Sequence, residues 1–332
     1  MESLFLSNLT SPPLLFFFLG ALAAFVRSDL EIPTQVATFL SLYLLFAIGF
    51  KGGAALAESD LGAAVWSSLG AALLLSVVVP LIIFALMRRR LAAADAAAVA
   101  ATYGSISAVT FVTATAYLDS SNITWSGHLV AAMALMESPA IVIGILLYRL
   151  YRDDAKESGQ ERINWKQLGR ESCLNGSVFL IVGSLVVGWI SGSDGKSQVS
   201  TFASDIFIGM LCLFLLDMGI VAARRLQEVG QTNADRQIGL PGMVGWGVSF
   251  ALGNALLAGA LAWAIGLPEG DALLLTVLGA SASYIAVPAA MRLALPDANP
   301  SIFLPMSLAV TFPFNLLIGI PMYHQALRWV LP

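Results

Sequence analysis

The chain has 332 residues, 58% of them hydrophobic and 11% charged, with 29 glycines and a formal net charge of −4. Its apolar residues come in long blocks and not at alternating or one-face spacing, which is the pattern of a polytopic membrane protein. No basic stripe points to nucleic acid, and Cys173 and Cys212 fall inside apolar runs, so both read as packing residues and not as a disulfide or thiolate metal site.

The first apolar run, PPLLFFFLGALAAFV, contains an Ala-x-Ala at Ala21 to Ala23 that imitates a signal-peptidase site. Glu2 is the only charge before Arg27, the reverse of a signal peptide's polarity, so the run is kept as the first span. At ~20 residues per crossing, ten candidate spans follow: 12–27, 34–56, 61–87, 92–118, 126–150, 171–191, 200–223, 240–265, 271–294 and 301–330. One long polar connection, YRDDAKESGQERINWKQLGRES over 151–172, divides them five and five. The expectation is an all-α fold with a five-helix unit over 1–150, a connecting loop over 151–172 and a second five-helix unit over 173–332. Placing that loop in the cytoplasm puts both termini outside and gathers 14 of the 17 Lys and Arg residues on the inner side, leaving Lys51, Lys196 and Arg328.

Five spans is an odd number, so the second unit enters the membrane from the opposite side, and related units form an inverted repeat. At an offset of 176, Ala94–Ala108 faces Gly270–Tyr284, pairing Asp95 with Asp271, Ser105 with Ser281 and Ser107 with Ser283. Two further echoes keep the same order, Gly49 opposite Gly219 and Pro139 opposite Pro313.

The residues that weaken a helix collect at one depth. Gly104, Ser105 and Ser107 lie at the centre of the fourth span, and Ser281, Ser283 and Tyr284, followed by Pro288, at that of the ninth. Interrupted backbone is tolerated at membrane depth only where it lines a cavity or is enclosed by protein. Both spans are therefore expected to be discontinuous, with second halves whose N-termini start at the midplane. Each such end offers unpaired N–H groups and about half a positive charge, so two of them facing each other suit one small anion. The hydroxyls of Ser105, Ser107, Thr110, Ser281 and Ser283 would shape that pocket, and the carbonyl ends of the first halves suit Na⁺. The alternative reading is plain packing, since Gly, Ser and Thr let helices approach closely.

Glu137 is an ionisable residue near the bilayer centre and reads as a cation or proton ligand, with a hydrogen-bonded bridge between helices as the alternative. Asn315, at the same depth in the tenth span, has similar candidate roles. Asp217 nearer the inner end of span seven fits either a pairing with an arginine such as Arg225 or a transport role. Lys51 either snorkels to water or helps attract an anion. His128 and His324 are isolated and read as loop or interface residues. No H-E-x-x-H, catalytic aspartate pair or G-x-S-x-G occurs, so the sequence supports neither a hydrolase nor a bound cofactor.

The segments LFAIGFKGGAAL, PAAMRLALPDANPS and TFPFNLLIGIP resemble the sodium-dependent bicarbonate transporter family of the cyanobacterial type, over nearly the whole chain. That resemblance implies two inverted five-helix repeats with crossed, broken helices in a bacterial inner membrane. It also implies uptake of bicarbonate with Na⁺ as coupling ion, a homo-oligomer, namely a trimer, and a small PII-like regulator on the cytoplasmic side. Tyr284 in SASYIAVPAA departs from the family pattern, which keeps another small anion such as a short carboxylate as an alternative substrate. Sodium/proton exchange usually relies on acidic residues at the crossing, and TYGSISAV and GASASYIA have none. A channel or a membrane sensor on the same scaffold is the remaining class.

Overall fold

The computed structural model describes residues 10–57, 62–151, 176–231 and 238–330, and every regular element among them is helical. In chain order these are α1 Pro12–Phe25, α2 Thr34–Ala57, α3 Ala63–Met87, α4 Ala93–Gly104, α5 Ala108–Ser120 and α6 His128–Tyr151. There follow α7 Gly176–Ser200, α8 Phe207–Gln231, α9 Leu240–Ala264, α10 Glu269–Ala280 and α11 Ala286–Ala294. The last helical stretch, α12, covers Pro300–Val330 and carries two π-helical segments, Pro305–Thr311 and Asn315–Gly319. Residues 152–172 of the long polar connection, the regulator surface expected there, and Cys173 lie outside the described residues.

Seven of the described helical stretches are long and apolar enough to cross a membrane, against ten expected spans, and each difference has a physical cause. α1 has only 14 residues. The sixth and seventh spans run together as Phe179–Gln227, whose 49 residues far exceed the ~20 of one crossing. Gly192 interrupts the helical backbone within that stretch at φ 54°, ψ −146°, a conformation glycine adopts without penalty. The ninth span is divided into pieces of 12 and 9 residues, α10 and α11.

Two groups of helices meet at the site. In the first, α1 lies along α8 and α2 along α7. Glycine makes these contacts: a Cβ on Gly53 would stand 2.0 Å from the Leu185 carbonyl oxygen, and one on Gly20 2.0 Å from that of Leu216. Gly49 meets Ile181 and Gly53 meets Leu185, so α2 and α7 run parallel, as do α1 and α8, where Phe17 meets Gly219 and Ala24 meets Gln227.

The second group packs α3, α4 and α6 together, and α9, α10 and α12 together, with α4 and α10 innermost. Every residue from Ala94 to Gly104 and from Gly270 to Ala280 is buried. α4 achieves this with alanine, whose small side chain lets neighbours close in on all sides, and Gly104 continues the pattern against the ring of Pro80. Each innermost helix carries a buried aspartate in its first turn, where a carboxylate complements the helix dipole. Asp95 Oδ1 accepts from the Asn299 N–H at 2.6 Å, in the connection before α12. Asp271 Oδ1 accepts from the Ser126 N–H at 2.7 Å, in the connection before α6. The two aspartates therefore tie each helix set to a loop of the other.

Candidate functional site

α4 stops at Gly104 because Ser105 turns to extended backbone, φ −89° and ψ −178°, and α5 restarts at Ala108 behind Ser107 at φ −108°, ψ 108°. α10 stops at Ala280 in the same way, with Ser281 at φ −81°, ψ 169°, and α11 begins at Ala286. Both interruptions fall at the glycine and serine residues that mark them in the sequence. They are also in direct contact. The Ser107 N–H donates to Ser281 Oγ at 3.0 Å, and the Ser283 N–H donates to the Thr102 carbonyl at 2.9 Å.

The serine side chains cap the new helices as well. Ser107 Oγ accepts from the Thr110 N–H at 3.1 Å, and Ser283 Oγ accepts from the Val287 N–H at 3.3 Å. The first N–H groups of a helix have no acceptor within it. In α5 the Thr110 amide uses the Ser107 side chain and the Phe111 amide the Ser107 carbonyl, which leaves the amides of Ala108 and Val109 without an acceptor among the described residues. Hydroxyls around them are in the same condition: Thr102 Oγ1, Ser105 Oγ, Thr110 Oγ1 and Tyr284 Oη are buried without a hydrogen-bond partner. Each unmet buried polar group costs about 1–3 kcal/mol. Such a cluster offers bonding capacity that buried water or a small polar ligand meets.

A cavity of about 50 Å³ lies beside this cluster. Its wall includes Ile106 to Val109 of the first break, Ser283 to Ile285 of the second, Glu137 of α6 and Ser41 of α2. Leu44, Leu45, Met133 and Ile181 complete an apolar rim where the two helix groups meet. One water needs roughly 10–15 Å³ of such space, so the cavity takes a ligand of a few heavy atoms.

The residues singled out in the sequence divide into those at this cavity and those beside it. Ser107, Ser283, Tyr284 and Glu137 line it. Ser105, Thr110 and Ser281 are buried at the crossing behind that wall, and Gly104 packs on Pro80. Tyr284 packs on Phe312 in a T-shaped pair, with ring centroids 5.3 Å apart, and its hydroxyl faces Ser107 without hydrogen-bond geometry. Asn315 is off the cavity wall: its Nδ2 donates to the Ala280 carbonyl at 2.9 Å, and its Oδ1 accepts from Tyr323 at 2.8 Å. It thereby holds the C-terminal carbonyl end of α10. Asp217 is buried in α8 away from the cavity wall. Lys51 pairs with Asp119 at 3.7 Å and stands over the Phe207 ring.

A family model described as the Na⁺-dependent bicarbonate transporter superfamily matches residues 12–328. The chain belongs to that superfamily. No curated protein matches it. Superfamily membership and the long apolar helices together make this a membrane transporter.

Two parts of the site leave no distinguishing mark in the sequence. Ser41 is one of several hydroxyl residues along α2, with Thr34, Thr38 and Tyr43, and nothing in the span singles it out as the one that lines the cavity. Thr102 lies a turn before the break, where nothing in the string distinguishes it from a packing threonine. Away from the cavity, His324 takes the interface alternative of its sequence reading, within α12 and buried between Tyr117 of α5 and Glu269 of α10.

Proposed function

We propose that this protein imports bicarbonate together with Na⁺, and that the anion is held at the N-terminus of α5 opposite that of α11. The observation that carries this is the pair of unmet amides at Ala108 and Val109 on the wall of a cavity sized for a few heavy atoms. Two helix N-termini supply about one positive charge in sum where they face each other. That charge matches a monovalent oxyanion, and the amides and hydroxyls are donors of the kind such an anion requires.

Sodium fits the other ends of the same breaks. The C-terminal carbonyls of α4 and α10 carry the complementary partial negative charge. The Thr102 and Ser105 hydroxyls offer oxygen ligands, and Glu137 supplies the one full negative charge on the cavity wall. Asn315 acts by fixing the Ala280 carbonyl. The ion and the anion then lie side by side, each lowering the cost of bringing the other into the membrane interior.

The architecture that accounts for this is ten crossings in two inverted five-helix repeats. Supporting it are the reciprocal aspartate ties, the paired breaks, and the matching pairs α1 with α8 and α2 with α7. In the bacterial inner membrane, with 151–172 cytoplasmic, both termini face outward. The glycine-locked group α1, α2, α7 and α8 serves as a scaffold, and the group around α4 and α10 moves against it to alternate access. Assembly as a trimer and docking of a PII-like regulator on the cytoplasmic side belong to the same reading. The apolar rim of Leu44, Leu45, Met133 and Ile181 favours one second reading, a short aliphatic carboxylate as the transported anion.

Uptake of labelled bicarbonate into proteoliposomes tests this, with and without an inward sodium gradient. Accumulation that requires the gradient is expected. Uptake indifferent to sodium overturns the coupling, and absence of bicarbonate uptake alongside sodium-driven uptake of acetate moves the assignment to the carboxylate.

A further inference from the structure

α3 has the highest mean hydropathy of the described spans, 2.8, and it ends on three exposed arginines, Arg88, Arg89 and Arg90. They stand on an ordered turn. The Arg88 N–H donates to the Phe84 carbonyl at 2.8 Å, and the N–H groups of Arg90 and Leu91 both donate to the Met87 carbonyl, at 2.8 and 2.9 Å. Cations placed directly after an apolar helix of 25 residues lie at the level of lipid headgroups.

Aromatic rings of neighbouring helices hold two of the three guanidiniums. Arg88 lies over Tyr151 at the end of α6, 4.2 Å from the ring centroid, and Tyr151 packs in turn on Phe84 with centroids 5.3 Å apart. Arg90 lies over Trp246 of α9, at 5.3 Å. Stacking occupies the face of a guanidinium and leaves its edge of N–H donors open. No carboxylate pairs with any of the three among the described residues. Asp297, at the same end of α6, takes the Tyr148 hydroxyl at 3.3 Å instead.

The surface leading to these cations is apolar. Leu81, Ile82 and Leu86 on the last turns of α3 are each 44–46% exposed, and Leu146 and Leu150 on the last turns of α6 are exposed too. Hydrocarbon is the medium such side chains suit in a membrane-spanning helix. The arginines above them are different, since an open fork of N–H donors without a counter-charge suits a phosphate.

We propose that the end of α3 is a binding site for an anionic phospholipid, with the phosphate held by Arg88, Arg89 and Arg90 and the acyl chains lying along Leu81, Ile82 and Leu86. Charge complementarity selects this occupant. A phosphodiester with no cation of its own meets three unpaired guanidiniums, whereas a zwitterionic headgroup brings an ammonium that they repel. The inference rests on the chain being a membrane protein and is independent of what it transports.

The test uses purified full-length protein in neutral detergent, titrated with phosphatidylglycerol or with phosphatidylcholine, and native mass spectrometry reads the lipid-bound fraction. The wild type is expected to bind phosphatidylglycerol about tenfold or more tightly than phosphatidylcholine, since each surface arginine adds to the attraction. The triple variant Arg88→Gln, Arg89→Gln, Arg90→Gln is expected to lose that preference, and Lys196→Gln, which removes an exposed cation from α7, is expected to keep it. Tyr151→Leu retains every charge but removes the ring under Arg88, and its affinity for phosphatidylglycerol should fall about threefold, the worth of one cation–π contact. Equal affinity for the two lipids in the wild type overturns the proposal, as does an undiminished preference in the triple variant. Unchanged affinity in Tyr151→Leu overturns it as well, because the arginines then act as diffuse charge and not as a built site. Soluble glycerol phosphate in excess is expected to leave the lipid bound, and displacement by it contradicts the lipid assignment. Should the triple variant fail to fold, Arg89→Gln, which stacks on no ring, decides by the same comparison.

Discussion

The N–H of Ser107 donates to the Oγ of Ser281 at 3.0 Å, across 174 residues of chain. One break is therefore held open by the side chain of the other. Because Ser281 Oγ itself donates to the Leu278 carbonyl at 2.9 Å, its lone pairs are aimed at Ser107, and the two helix ends keep a fixed spacing.

Replacing Ser281 by alanine strands the Ser107 amide inside the protein. The expected loss is about 1–3 kcal/mol of stability, the cost of an unmet buried donor. Thermal unfolding in nanodiscs reads it as a lowered midpoint, and Ser281→Thr restores most of the loss.

Ala108→Pro separates the helix end's binding role from its structural one. Proline suits the first position of a helix, and the extended backbone of Ser107 is what a residue before proline adopts. The substitution removes one of the two unmet amides and leaves α5 in place. Bicarbonate affinity should fall by about tenfold or more, the worth of a hydrogen bond to a charged group, while the unfolding midpoint stays level.

Much of the site is readable in the string because a membrane span has so few reasons to depart from leucine and valine. Ser105, Ser107, Ser281 and Ser283 are such departures, and the structure puts both interruptions there. What could not be read is which residues meet. Asp95 finds Asn299 at a separation of 204 residues, and Tyr117 finds His324 at 207. Neither contact leaves a periodic or local trace. For Gly104 the packing alternative holds, but the sequence did not show against what: its neighbour is the ring of Pro80 on another helix. His324 looks isolated in sequence for the same reason, as its partners lie on α5 and α10.

The scaffold should be intolerant of bulk at specific glycines. A Cβ on Gly53 would collide with the Leu185 carbonyl oxygen, at 2.0 Å, whereas one on Gly70 meets nothing within 4 Å. Gly53→Ala is expected to lower stability by about 1–3 kcal/mol, as overpacking does. Gly70→Ala is expected to leave it unchanged, and the pair is compared by midpoint and yield of folded protein.

In the proposed reading, Glu137 on the cavity wall supplies the charge that a sodium ion beside the anion requires. Glu137→Gln keeps the size of the side chain and removes that charge, so the sodium concentration for half-maximal uptake should rise by about tenfold or more. Uptake assays at varied sodium and fixed bicarbonate measure it. An unchanged sodium dependence would place the ion elsewhere.

The central claim is that the N-terminus of α5 holds the anion, and solid-state NMR measures it most directly. Protein carrying ¹⁵N in its backbone is reconstituted with ¹³C-bicarbonate and sodium, and carbon–nitrogen dipolar contacts are recorded. Contacts from the bicarbonate carbon to the amides of Ala108 and Val109 are the predicted result. Bound bicarbonate with contacts to neither amide would contradict the account.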